Sequence, residues 1–323
     1  AIKYGIKGTD LLLAASHTHA GPILKDNLDP YASHMLNIAQ LASVDKYTTW
    51  LEDKIVQLIG QAVGQLNTSP AVTLSYGVGL ADFNVNRLGL PDKPENVNVL
   101  AVKSNEGKVH AIAFTYSCHP LDDIDQNYYN SGFPGVAMDN LEVAYPGSIA
   151  LFIQGTAGDI NPEDWWDSET QGSYLSCVVM DVFNSLLQPV AGPISVVYQE
   201  IDLPLDLNQV DEWGAVITRE RLKAIYQSIF DNNAGLDHPY GRHAQQMINL
   251  IAADDLPTHV PLPVSLWYFN DELPLALLAM GGEVVSGYNS YFHTKNENGS
   301  YGMQPLRLWV AAFVHEDPSY IPT

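Results

Sequence analysis

Two histidines one residue apart, His17 and His19, stand in the stretch ASHTHAGP, residues 15–22. They follow the apolar run LLLAAS, residues 11–16, which reads as a strand. In a strand, residues i and i+2 share one face, so both rings can enter one pocket. A third histidine, His119, closes another extended run, TYSCHPLDD, in which Pro120 stops further pairing. Histidines at strand ends suit metal binding. Neutral imidazole is a zinc ligand, and rigid β-structure holds it in place before the metal arrives. His34, His110, His238, His243, His259 and His293 have no such context and read as surface or structural histidines.

Other metal patterns do not fit. His-Thr-His is followed by Ala-Gly-Pro, not by the Asp-His of a metallo-β-lactamase site, and no HExxH occurs. A barrel amidohydrolase also uses His-x-His, but it requires a regular β/α alternation. The elements here mix without one. Residues 48–66 read as an amphipathic helix, with Leu51, Ile55, Leu58, Ile59, Ala62 and Leu66 at helical spacing and Thr49 and Glu52 as its capping box. Residues 97–120 read as a hairpin turning at Asn105-Glu106-Gly107. SIALFIQ, 148–154, is a short buried strand that leads into the glycine-rich loop GTAGDINP, where Asp159 reads as an acceptor of backbone N–H groups that shapes the turn. A helix over 173–188, a strand over 195–205, and two helical pieces within 211–253, broken around 232–241, come next. Strands over 264–270, 273–283 and 306–314 complete the chain. LWYF, residues 266–269, reads as a core strand in preference to the lining of an acyl pocket. The expectation is one mixed α/β (α+β) domain over residues 1–323, with no linker.

Composition narrows the function classes. Thirty-seven acidic residues face fifteen basic ones, a formal net charge of −22. Such a surface repels nucleic acid and anionic lipid. The apolar fraction, 46%, is that of an ordinary globular core. No run reaches the roughly 18 apolar residues that a membrane span needs. Cys118 and Cys177 are too few for a disulfide framework or a cysteine zinc site. Few lysines and plentiful Asn and Tyr fit an extracellular or periplasmic (secreted) protein. The opening AIKYGIKGTD has neither the charged start nor the apolar core of a signal peptide, so a processed or partial N-terminus is expected.

Six segments, taken in order, resemble the neutral (non-lysosomal) ceramidase family of zinc-dependent amidases. SHTHAGP resembles its Thr-His-Thr-His-Ser-Gly-Pro motif, FTYSCHP its strand ending in His-Pro, and VNRLG its Asn-Arg-Ser-Pro segment. GTAGDINP resembles its Gly-Asp-Val-Ser-Pro-Asn loop, GGEVVSG its Pro-Gly-Glu motif, and PSYIPT the segment with its metal-binding tyrosine. The resemblance implies a ceramidase-like catalytic domain in which zinc is held by His17, His119, Glu283 and Tyr320. It implies that His19 faces the reacting atoms and that Arg87 holds the substrate or the developing oxyanion. Asn161 stands where the family has a catalytic-loop serine, and glycine (Gly281 or Gly282) replaces the proline before the glutamate. Relative to the family, the first strands and the C-terminal β-sandwich are expected to be missing.

The implied activity is hydrolysis of an N-acyl amide by metal-activated water, with ceramide-like lipids as the family substrate. The competing expectation is a non-enzymatic extracellular binding or assembly subunit on the same fold. The acyl substrate and any self-assembly are left open.

Overall fold

The computed structural model describes residues 2–26, 33, 36–66, 68–121, 128–163, 167–205, 214, 216–297 and 307–322. His34, residues 211–213 and 215 of the expected helical stretch, and Leu306 of the last expected strand lie outside them. In chain order the elements are α1 (Ile38–Leu66), β1 (Val72–Leu80), β2 (Asn84–Asn86), β3 (Asn96–Ser104), β4 (Val109–Tyr116), α2 (Gly132–Ala144), β5 (Ile149–Gln154), β6 (Ile160–Pro162) and α3 (Ser168–Ser185). They continue with β7 (Gln188–Val190), β8 (Ile194–Pro204), α4 (Arg219–Asn232), α5 (Pro239–Ala253), β9 (His259–Phe269), β10 (Leu275–Met280), β11 (Glu283–Val284), α6 (Gly287–Glu297), β12 (Arg307–Ala311) and β13 (Tyr320–Ile321). This is a mixed α/β architecture, as the sequence pattern implied.

By internal contact the chain divides into two compact units. The smaller comprises Pro22–Ala62 and Asp202–Val260. Within it α4 and α5 each begin on a side-chain cap, Thr218 accepting from the Arg221 N–H and His238 from the Tyr240 N–H. The larger comprises Ala1–Gly21, Val63–Ile201 and Pro261–Thr323, and it holds every residue singled out above for chemistry.

The larger unit is built on a five-stranded mixed sheet of order β5-β4-β3-β1-β7, in which only β4 and β5 run parallel. Strand periodicity decides its packing. Val97, Val99, Ile112, Phe114, Tyr116, Ala150 and Phe152 alternate along their strands and bury one face against Phe133, Leu141, Leu175 and Val179 of α2 and α3. The intervening residues Leu100, Ala113 and Ile153 face the other way, toward Phe269, Leu275, Leu277 and Trp309. Those come from the second sheet, of order β12-β10-β9-β8. A strand covered on both faces reads as a near-continuous apolar run, as LALLAM does, whereas SIALFIQ, expected to be buried, forms the edge strand β5 and leaves Ile149 and Leu151 exposed. Trp267 and Phe269 of the LWYF stretch pack in this second core.

Two further local expectations change. Residues 11–16 are not a strand. The segment is extended and makes one isolated bridge, Ala14 to Val314, because no neighbouring strand continues beside it. The helix expected from residue 48 starts ten residues earlier, at Ile38. Asn37 caps it by accepting the Ala39 and Gln40 N–H groups at 3.0 Å each, while Gln40 Oε1 accepts the Asn37 N–H at 2.9 Å. This reciprocal pair takes the role expected of Thr49 and Glu52, which lie inside the helix. No helix among the described residues is long and apolar enough to cross a membrane.

The candidate residues lie at strand ends and in short strands, and Asp159 ties several of these segments together. Its buried carboxylate accepts the Ser286 N–H (2.7 Å), the Ser286 hydroxyl (2.9 Å) and the Asn86 amide (2.8 Å). It therefore ties the glycine-rich loop to β2 and to the turn just beyond Glu283. Beside it, Gly158 donates its N–H to Val284 O at 3.0 Å. A Cβ on Gly158 would stand 2.4 Å from Glu283 O, so only glycine allows the approach. Asp159→Asn replaces one acceptor by a donor among three donors. We expect a loss of about 2 kcal/mol in a urea titration, the size of a hydrogen bond to a charged group, with metal content of the folded variant unchanged. Loss of metal from a well-folded variant would contradict this structural role.

Candidate metal centre

His17 sits at φ 62°, in the left-handed region. For a residue with a Cβ that costs about 1–2 kcal/mol, so its neighbours must hold it. Ala15 N–H donates to Phe313 O (3.1 Å), the His315 N–H donates to Leu13 O (2.7 Å), and the Thr18 hydroxyl donates to Asn130 O (2.6 Å). The Phe313 ring lies 4.5 Å from that of His17. His17 and His19 do converge, with Nε2 atoms 3.2 Å apart and ring centroids 4.9 Å apart. The cause is this left-handed step and not strand alternation.

His119 follows β4 and is fully buried. Its Nδ1 donates to Ile160 O at 3.0 Å, and its backbone N–H donates to the same carbonyl at 2.9 Å. A proton held on Nδ1 leaves a lone pair on Nε2. That nitrogen faces Glu283 Oε2 at 3.4 Å, and the same oxygen lies 3.6 Å from His17 Nε2. Neither His119 Nε2 nor Glu283 Oε2 has a hydrogen-bond partner among the described residues, although both are buried. Two acceptors facing each other out of water repel unless a cation or a proton lies between them. The spacing suits a cation. Metal–ligand bonds of about 2.0–2.1 Å in a tetrahedron put ligand atoms about 3.3 Å apart.

His17, His19 and His119 form one group whose ring nitrogens could hold a metal ion. His17, Glu283 and Asp317 form another. Asp317 Oδ2 lies 3.9 Å from His17 Nδ1. Sequence reasoning missed Asp317, for no spacing sets it apart; its place in an acidic turn three residues before Tyr320 was the available signal. Burial lowers the pKa of His17 to about 4, helped by His119, His19 and Arg87 and opposed by Glu283. Burial also lowers that of His19, with His119 adding to it. Both rings are therefore neutral at pH 7, the form that binds a metal. Burial pushes the Glu283 carboxyl up, but the neighbouring His119, His17 and Tyr320 outweigh it and the net shift is downward. Burial, then the Glu283 charge, raises Asp317 to about 6.

Tyr320 is the register partner of Glu283 in the two-stranded parallel pair β11–β13, and burial, then the neighbouring Glu283 carboxylate against the opposing Arg87, leaves its hydroxyl pKa raised. Arg87 lies over the Tyr320 ring, 5.4 Å from its centroid, and donates to Gly158 O at 2.6 Å. Asn161 lies on β6 opposite Val85, next to the Ile160 carbonyl that anchors His119. Its Oδ1 is buried with no hydrogen-bond partner among the described residues, so no bond through that atom joins it to the cluster. Gly281 is a packing requirement. A Cβ there would stand 2.8 Å from Glu316 O and 2.7 Å from the Pro263 ring, which leaves no room for a larger residue.

No family model and no curated protein sequence matches the chain. Solved structures do. It is similar to a ceramidase complexed with C2, at 13% identity and a TM-score of 0.63 over 97% of this chain and 56% of that one. It is also similar to the neutral ceramidase from Pseudomonas aeruginosa, at 14% identity and a TM-score of 0.61 over 96% and 54% of the two chains. The chain thus spans just over half the length of the structures it matches. The likeness is one of architecture, and it shows that the chain has a ceramidase-like fold.

Proposed function

We propose that this chain is a zinc-dependent hydrolase of N-acyl amide bonds, with ceramide-like lipids as its substrate class, acting outside the cytoplasm. The observation that carries the reading is a pair of buried acceptors, His119 Nε2 and Glu283 Oε2, that lack a hydrogen-bond partner among the described residues and meet His17 in a ceramidase-like fold. In this reading His17, His119, Glu283 and Tyr320 hold the metal. When bound, zinc supplies a Lewis acid and water whose pKa falls to about 7.

The protein residues would do the rest. The Ile160 carbonyl keeps the His119 proton on Nδ1 and its Nε2 lone pair turned toward the site. Glu283 adds a negative charge within reach of His17 and His119, which favours a cation in the cluster. His19, next to His17 and less enclosed, is placed to hydrogen-bond the oxygen of a scissile carbonyl. Arg87, pinned by Gly158 O, presents a permanent positive charge beside Tyr320, where negative charge would build up as the carbonyl is attacked. The amine must leave with a proton, and a neighbouring acid supplies it.

Two variants test the division of labour between the histidines. His17→Ala removes a ligand, so zinc per chain is expected to fall sharply with folding retained. His19→Ala is expected to keep its zinc and to lose about 10²–10³ in kcat on a fluorescent N-acyl sphingosine, the usual cost of one donor to a developing oxyanion. Equal loss of zinc from both would assign the metal to the three-histidine group. A fully zinc-loaded parent chain that hydrolyses no N-acyl amide would sink the enzymatic reading in favour of a binding subunit.

A further inference from the structure

Gln154 ends β5 and is fully buried. Its side-chain amide reaches two loops that come from distant parts of the chain. Nε2 donates to Cys118 O at 2.9 Å and to Ser16 O at 3.3 Å. Oε1 accepts the Gly155 N–H at 3.0 Å. The two carbonyls are those immediately before His119 and His17. We infer that Gln154 is a positioning residue that sets the spacing of the His17 and His119 rings, an assignment that rests on the metal reading above.

The amide has two N–H donors and one acceptor oxygen engaged, and the arrangement has one sense. Turned over, it would press its oxygen against two carbonyl oxygens and its NH2 against an N–H. A carbonyl held by a donor fixes the plane of its peptide, and with it the direction in which the next residue leaves. Here the next residues are the two histidines. The clamp at Ser16 O acts directly before the left-handed His17, whose backbone would otherwise relax. The clamp at Cys118 O acts directly before His119, whose ring is then turned by Ile160 O. The backbone of Gln154 is itself anchored. Its carbonyl accepts the Ala312 N–H at 3.0 Å, and β5 is parallel to β4 with Gln154 opposite Tyr116. One rigid strand end therefore serves both histidine loops, and the distance between the rings follows from the geometry of one amide group.

The test uses Gln154→Glu, Gln154→Met and a control. Glutamate keeps the shape and the acceptor for Gly155 but turns an oxygen toward the two carbonyls. Methionine keeps the volume and removes the three side-chain hydrogen bonds. Tyr76→Phe is the control, since Tyr76 is buried on β1 and its hydroxyl donates to Asn98 Oδ1 on β3, a bond that involves neither β5 nor the histidine loops. Zinc affinity is measured on the whole chain by competition with a chromophoric chelator, and ligand geometry by the visible spectrum of the cobalt(II)-substituted protein. Both Gln154 variants are expected to bind zinc about 10–100-fold more weakly, the usual effect of losing a group that orients metal ligands, and to shift the cobalt bands. Tyr76→Phe is expected to melt at lower temperature with unchanged affinity and spectrum. Gln154 variants that melt lower but keep the parent affinity and cobalt spectrum would overturn the assignment, as would variants that fail to fold with or without zinc. A parent chain that binds neither metal would refute the metal reading separately. The nitrogen-15 shifts of the His17 and His119 rings then decide the inference. Movement in Gln154→Glu but not in Tyr76→Phe supports it, and unchanged shifts refute it.

Discussion

His119 Nε2 and Glu283 Oε2 point at one another across 3.4 Å with no hydrogen-bond partner for either among the described residues. Both are acceptors, given the proton that Ile160 O holds on the other imidazole nitrogen. An arrangement of this kind is unfavourable in an apoprotein, because polar atoms taken from water normally recover a partner. It persists only where the surrounding backbone leaves the side chains no alternative. Much of the larger unit can be understood as supplying that constraint.

The constraint is built in layers. Parallel strands β4 and β5 are the only parallel neighbours in the central sheet, and their carboxyl ends open side by side. One leads to His119 and the other to the glycine-rich loop. Helices α2 and α3 and the second sheet bury the two faces of the central sheet, so those strand ends cannot drift. Asp159 then carries the order outward, from the glycine-rich loop to Ser286 and so to Glu283. Glycine at position 158 lets two backbones touch where any side chain would part them. The last layer is the β11–β13 pair, which sets Tyr320 beside Glu283.

A likeness of this order at 13% identity is intelligible on the same grounds. The alternation of apolar residues that buries both sheet faces tolerates exchange among Val, Ile, Leu and Phe, since packing depends on volume and pattern more than on identity. Positions where backbone meets backbone are less tolerant, and Gly158 and Gly281 are of that kind. At Gly281 the Glu316 carbonyl and the Pro263 ring occupy the space that a side chain would need.

The sequence by itself determined the mixed α/β class, the hairpin of β3 and β4, the strand β5 with its glycine-rich loop, and the histidines at 17, 19 and 119 as the ones worth following. These are short-range features. Strand alternation, turn glycines and strand-ending prolines act over a few residues, and their physics is complete within them. Tertiary structure decided the remainder. The extended segment at 11–16 finds one bridge and not a strand, because strand character requires a neighbour. The left-handed turn at His17 comes from bonds to residues near 313 and to Asn130, which no local pattern announces. Asp317 and Gln154 look ordinary in the sequence, an acid in a turn and an amide at the end of a strand. Their surroundings are assembled from segments far apart in the chain, and the contacts of a side chain depend on which of those segments the core packs together.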